Sequence, residues 1–133
     1  MDKVTHFQLP VNNVDRAKEF YKKLFDWTIT DIGFKRDYQL ISTVPTDDKG
    51  ILLEVGAING ALFKRESADE YPSIVVTVDS IEATIKKVEV SGGKVVRQKE
   101  TVMEIGYYAE IIDTEDNLIG LWEKLPYELK FDI

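Results

Sequence analysis

The sequence contains no cysteine. That excludes disulfides, thiolate metal sites and cysteine nucleophiles, and it gives no reason to invoke an oxidising compartment, so a cytoplasmic location is expected. Long hydrophobic runs are also missing. Nothing approaches the roughly 20 apolar residues of a membrane helix, and residues 1–10 lack the apolar stretch of a signal peptide, so no membrane partner is expected. Positive charge is the minority sign, with 17 Lys and Arg against 24 Asp and Glu and a net charge of −7. Such a chain repels phosphate backbones, which argues against nucleic acid as a partner. The acidity leans towards a neutral or cationic ligand, although most of it serves solubility. Phosphate-cradling loops are absent too, because Gly56, Gly60 and Gly92-Gly93 lack the required spacing. No Gly-x-Ser-x-Gly elbow occurs. A serine–histidine pair would have to be Ser73 with His6, the single histidine, and it has no evident third carboxylate, which speaks against nucleophilic catalysis.

What is present is ordinary globular material: 133 residues, 44% hydrophobic and 31% charged, the size and composition of one domain spanning residues 1–133. Residues 4–10 read as a strand. Asn13 stands where a helix cap belongs, and Val14, Ala17, Phe20, Tyr21, Leu24 and Phe25 recur at helical spacing, predicting a helix over 14–25. Strands are expected at 27–32, 36–44 and 58–64, with a polar hairpin at 45–50 and a short extended piece at 51–55. The polar, aperiodic stretch 66–72 reads as a connection. Beyond it come a β-branched strand at 73–79, a helix over 81–91 that Ser80 caps and Gly92-Gly93 stops, and strands at 94–98, 105–113 and 118–123. The tail from 125 to 133 has no clear period.

The two parts repeat. An offset of 67 residues sets His6 on Ser73, Val14 on Ile81, Ala17 on Thr84 and Tyr21 on Val88. At the far ends, Gly60 is set on Gly120. The expected fold class is therefore α+β: two βαβββ modules, about 1–66 and about 67–124, with tail 125–133. One helix per module covers one face of its strands, so the sheet is expected to be mixed, curled and cup-shaped, with both helices outside.

Residues quoted from several places carry a resemblance. Val4-Thr5-His6-Phe7-Gln8-Leu9-Pro10, Arg16-Ala17-Lys18-Glu19-Phe20-Tyr21, Phe25-Asp26-Trp27, Gly56-Ala57-Ile58-Asn59-Gly60-Ala61-Leu62, Gly92-Gly93-Lys94-Val95-Val96 and the run from Asp113 to Trp122 follow one another in the order seen in a known family. The chain resembles the glyoxalase / bleomycin-resistance / dioxygenase (vicinal oxygen chelate) superfamily, in its branch related to lactoylglutathione lyase. The resemblance implies paired βαβββ modules, frequent homodimers, and, in metal-using members, four ligands from the first and last strands of each half. Carried onto this sequence, those positions are His6, Gly60, Ser73 and Gly120. Only one of the four is a strong donor, so no metal and no cofactor are expected.

Strand alternation then selects the candidate site. His6 is the candidate acid, base or hydrogen-bonding anchor. Gln8 and Ser73 are candidate polar contacts to a carbonyl or hydroxyl, and Trp122, with Tyr38, Tyr107 or Tyr108, is a candidate aromatic wall. For any one aromatic, plain packing is the more common role, and Gly60 and Gly120 would keep the floor of the cup low. Phe7, Leu9, Ile74, Val76, Val78, Ile119 and Leu121 have the opposite parity and belong to the core. Three functions remain open: a module binding a small organic molecule without metal; a lyase-, isomerase- or dioxygenase-type enzyme, metal-independent through His6 or using a metal through other ligands; and an interaction protein whose cup is filled by its own side chains. Edge strands and the apolar tail at 127–133 point to a homodimer.

Overall fold

In the computed structural model, residues 1–125 are described. They form eight strands and two helices in the order β1(Lys3–Val11), α1(Val14–Phe25), β2(Thr28–Phe34), β3(Tyr38–Ser42), β4(Asn59–Lys64), β5(Ser73–Thr77), α2(Ile81–Val88), β6(Lys94–Val102), β7(Gly106–Ile112) and β8(Leu118–Lys124). This is the expected α+β pattern of βαβββ written twice. The chain divides into two compact units, one of His6–Pro72 and one of Met1–Thr5 together with the chain from Ser73 on. The apolar tail at 127–133 lies outside the described residues.

Each helix is set by its ends. Asn13 is extended and its carboxamide oxygen accepts from the Arg16 N–H at 2.9 Å, so α1 starts where the sequence places it. Asp15 in the first turn and Lys22 and Lys23 in the last suit the helix dipole. The helix stops at Asp26, which is left-handed with φ 59°. In α2, Ser80 accepts from the Ala83 N–H at 3.1 Å and the Glu123 carboxylate accepts from the Ile81 N–H at 2.8 Å. This second helix ends at Val88, three residues before the expected 91, because Gly92 and Gly93 fold back and the Gly93 N–H bonds the Val88 carbonyl at 2.9 Å.

The apolar stripe of α1 divides. Val14 is buried, and Ala17 and Tyr21 pack with Ile29, Ile41 and Leu62 in the core of the first unit. Phe20, Leu24 and Phe25 are 56%, 58% and 52% exposed. They stand outside that core, and Phe20 and Phe25 pack against neighbouring rings, Phe20 on Tyr21 and Phe25 on Tyr21 and Trp27. In the second unit the core is Val78, Ile81, Ala109 and Leu121, with Val76, Ile85, Tyr107 and Ile111 against it. Val14 and Ile81, set on each other by the repeat, are thus the buried first residues of their helices.

Both units have the same strand order, β2-β3-β4-β1 in one and β6-β7-β8-β5 in the other. The first and last strands of each pair in parallel, and the other pairings are antiparallel. This register corrects the alignment of the repeat. Phe7 lies beside Gly60 and Gln8 beside Ala61, whereas Ile74 lies beside Ile119 and Val75 beside Gly120. Phe7 and Ile74 correspond, so Gly120 corresponds to Ala61, not to Gly60. Gly60 shares the helix-covered face with Leu62, and its hydrogens meet the Phe7 ring. A Cβ there would come within 2.5 Å of the Phe7 carbonyl oxygen and 2.6 Å of the ring. Gly60 therefore does not line the other face; it admits Phe7 to the core.

Gly60→Ala should accordingly destabilise the protein by about 1–3 kcal/mol through overpacking. Urea unfolding measures this. A neutral substitution would contradict the close approach of the Phe7 carbonyl and ring to Gly60 that this register creates.

Candidate functional site

In the first unit, the face opposite α1 is set by alternation along β1, β3 and β4. His6, Gln8, Ala61, Phe63, Tyr38 and Leu40 point to it, while Phe7, Leu9, Leu62, Gln39 and Ile41 point to the helix side. Three of the expected residues meet here. The Tyr38 hydroxyl lies 3.5 Å from His6 Nε2, and it also hydrogen-bonds the Gln8 side chain. Gln8 is buried and His6 half-buried. The Tyr38 ring stacks on Phe63, with centroids 5.9 Å apart and planes inclined by 3°.

No full charge sits among these groups at neutral pH. Burial lowers the His6 pKa to about 4, so the imidazole is neutral and offers one donor and one acceptor nitrogen. Burial raises the Tyr38 pKa, against an opposing hydrogen bond from Gln8, so the phenol keeps its proton. Imidazole, phenol and carboxamide beside an aromatic ring can hold a neutral carbonyl or hydroxyl group and can supply or take one proton.

In the second unit, Tyr108 and Trp122 lie opposite each other on β7 and β8. They are the counterparts of Tyr38 and Phe63 under the corrected register, so the aromatic pair repeats. Trp122 lies over Gly106, where a Cβ would come within 2.3 Å of its six-membered ring. The Tyr108 hydroxyl occupies the space over Gly120, where a Cβ would stand 2.8 Å from it, and donates to Glu110 Oε2 at 2.8 Å. Gly120 thus makes room for the phenol. The other Glu110 oxygen pairs with Arg97 Nε at 3.0 Å. Ser73 opens β5 and is not beside Trp122: Trp122 pairs with Thr77, four residues along, roughly 13 Å at strand spacing. Tyr107 has the other parity and packs against the core under the Lys99 ammonium, 4.1 Å from its ring centre.

Glu110, Arg97 and Phe63 were not among the expected site residues. Alternation could have found them, since Glu110 lies two residues from Tyr108 and across from Gly120. A depression of about 470 Å³ lies elsewhere, on the solvent side of α1 among Asp15, Arg16, Lys18 and Glu19, and shares no residue with these clusters.

The family's divalent ion does not fit this donor set. Ala61 and Gly120 supply no ligand atom, Glu110 is engaged by Arg97 and Tyr108, and among the described residues no three His, Asp or Glu side chains converge.

A family model described as Glyoxalase/Bleomycin resistance protein/Dioxygenase superfamily matches residues 3–121. No curated protein matches the sequence. Among solved structures, methylmalonyl-CoA epimerase from Mycobacterium tuberculosis is similar with a TM-score of 0.68 at 15% identity, over 96% of this chain and 91% of that one. A variant of Streptomyces coelicolor methylmalonyl-CoA epimerase in complex with 2-nitronate-propionyl-CoA gives 0.66 at 12% identity, over 93% and 98%. A glyoxalase/bleomycin resistance protein/dioxygenase superfamily member from Vibrio splendidus 12B01 gives 0.63 at 8% identity, over 93% and 100%. At these identities the likeness concerns the fold.

His6 makes stability depend on pH. Its pKa is about 4 in the folded chain against an ordinary 6.5. The unfolded chain binds the proton more readily, so the contribution is whole above pH 6.5 and falls as pH drops towards 4, by up to about 3 kcal/mol. Urea midpoints should decline from pH 7 to 5, above most carboxylate titration, and His6→Gln should remove that decline. An equal decline in both proteins would refute the assignment.

Proposed function

The chain belongs to the glyoxalase/bleomycin resistance protein/dioxygenase superfamily, and from that premise we propose that it binds a small organic molecule by hydrogen bonds and aromatic contact, without a catalytic metal. The observation that carries this reading is the uncharged His6–Tyr38–Gln8 cluster beside Phe63. Neutral donors and acceptors in a desolvated place favour a neutral ligand with a carbonyl or hydroxyl group on an apolar or aromatic frame. Within the second unit, Ser73, Tyr108 and Trp122 are proposed as ligand contacts in their own right, with the Glu110–Arg97 pair fixing the orientation of the Tyr108 hydroxyl. We read the protein as a cytoplasmic homodimer, on the strength of the cysteine-free composition, the edge strands β2 and β6 and the apolar tail.

A second reading is a metal-independent enzyme of the lyase or isomerase kind, in the branch related to lactoylglutathione lyase. The contact between His6 Nε2 and the Tyr38 hydroxyl favours it, because a base beside an acid can move a proton at a carbon next to a carbonyl. The epimerase neighbours are consistent with such chemistry. It ranks second because an imidazole of pKa about 4 is a weak base.

Ligand-observed NMR with a set of neutral aromatic ketones, amides and alcohols tests the first reading. Binders should compete with one another, and Tyr38→Phe should weaken them about 3- to 10-fold, the worth of one hydrogen bond. Binders unaffected by both Tyr38→Phe and His6→Ala would refute it.

A further inference from the structure

Tyr38 follows a backbone turn that is unusual for its residue types. Arg36 and Asp37 are both left-handed, with φ 61° and 52°, and neither is glycine. Two sets of bonds hold them there. Gln39 Nε2 donates to the Asp37 carbonyl at 3.2 Å and to its carboxylate at 3.1 Å. Arg36 Nη2 donates to both Glu70 oxygens at 2.6 and 2.8 Å and to the Lys64 carbonyl at 3.0 Å, and its Nε lies 2.9 Å from Glu66 Oε1. The guanidinium carbon also stands 4.6 Å from the centre of the Phe63 ring, the ring on which Tyr38 stacks.

Glu66 and Glu70 belong to the connection that follows β4, and this connection is itself fixed. The Glu66 N–H bonds Glu70 Oε1 at 2.6 Å, while Arg65 reaches the Pro10 carbonyl and the Asn12 carboxamide, both at 3.0 Å, and the Glu70 carbonyl. Burial works to raise the Glu70 pKa, but the bonds from Arg36 and the Glu66 and Ser67 backbone outweigh it, so the carboxylate stays ionised. A contiguous set of contacts then runs from Glu70 through Arg36, Phe63 and Tyr38 to His6, all within the unit His6–Pro72.

We propose that Arg36 is the positioning residue of the Tyr38–His6 pair: clamped by Glu66 and Glu70, its guanidinium fixes the Phe63 ring and the turn before β3, and so sets where the phenol meets the imidazole. A lysine would keep the charge but lose the planar fork that spans carboxylate and ring together. The inference rests on the reading of His6 and Tyr38 as ligand contacts, yet it can be tested with no ligand present.

His6 is the single histidine, so the imidazole signals of the uniformly ¹⁵N-labelled chain report it alone. Among the described residues, Tyr38 is the titratable side chain recorded within hydrogen-bond range of it. In the wild type its midpoint should lie well below 6.5. In Arg36→Met, with Tyr38 released and water admitted, the midpoint should rise by about one pH unit or more. A folded Arg36→Met protein of lowered melting temperature with an unmoved His6 midpoint would overturn the proposal, since a merely structural ion pair predicts that outcome. If Arg36→Met does not fold, Glu70→Gln is read by the same criterion: a raised midpoint supports the proposal and an unmoved one overturns it. The ligand-observed NMR experiment on the wild type fails or succeeds independently, so the two readings are told apart.

Discussion

The parallel pairing of the first and last strands in each module is the constraint on which the rest depends. Once Gln8 lies beside Ala61 and Val75 beside Gly120, alternation decides the destination of every other side chain on those strands. A shift of one residue would send Leu62 and Leu121, both in the cores, to the face away from the helices, and would bring Gly60 there in place of Ala61. The buried helix starts, Val14 and Ile81, and the core leucines hold the pairing from the other side. Packing on one face thus fixes the chemistry of the opposite one.

That chemistry is unlike a metal centre. The positions where metal-using relatives would present carboxylates carry a methyl group and a hydrogen, Ala61 and Gly120. The volume freed at Gly120 is taken by the Tyr108 hydroxyl. In the first unit the imidazole, phenol and carboxamide of His6, Tyr38 and Gln8 satisfy one another without a net charge. On the proposed reading, a buried neutral cluster of this kind would select a ligand by direction, because each of its groups would lose a hydrogen bond to the wrong partner. In the second unit, the Glu110 carboxylate beside Tyr108 is paired with Arg97.

Much of the fold was legible because it was written twice. Caps at Asn13 and Ser80, the helical stripes and the β-branched strand at Ser73 recur together, and an element predicted in one module supports its counterpart in the other. The register at Gly60 was not legible: two glycines flanked by apolar residues align equally well one position apart, and only strand pairing separates them. Strand β3 begins two residues later than expected because Arg36 and Asp37 turn left-handed with no glycine to signal it. The exposure of Phe20, Leu24 and Phe25 is a matter of tertiary packing, which helical periodicity does not encode. At the site, His6 and Gln8 share a face as alternation implies, and Tyr38, expected in an aromatic wall with Trp122, lies instead beside His6. Ser73 and Trp122 share a face without being neighbours, and Phe63 was overlooked because an aromatic in an apolar run reads as core.

The central claim is that this member of the superfamily keeps the fold and works without the divalent ion. Elemental analysis of the purified protein, produced in medium supplemented with zinc, iron, nickel and manganese, tests it most directly. The account predicts no stoichiometric metal, and His6 imidazole signals that do not move when zinc is added. About one ion per chain, lost in His6→Ala, would contradict it.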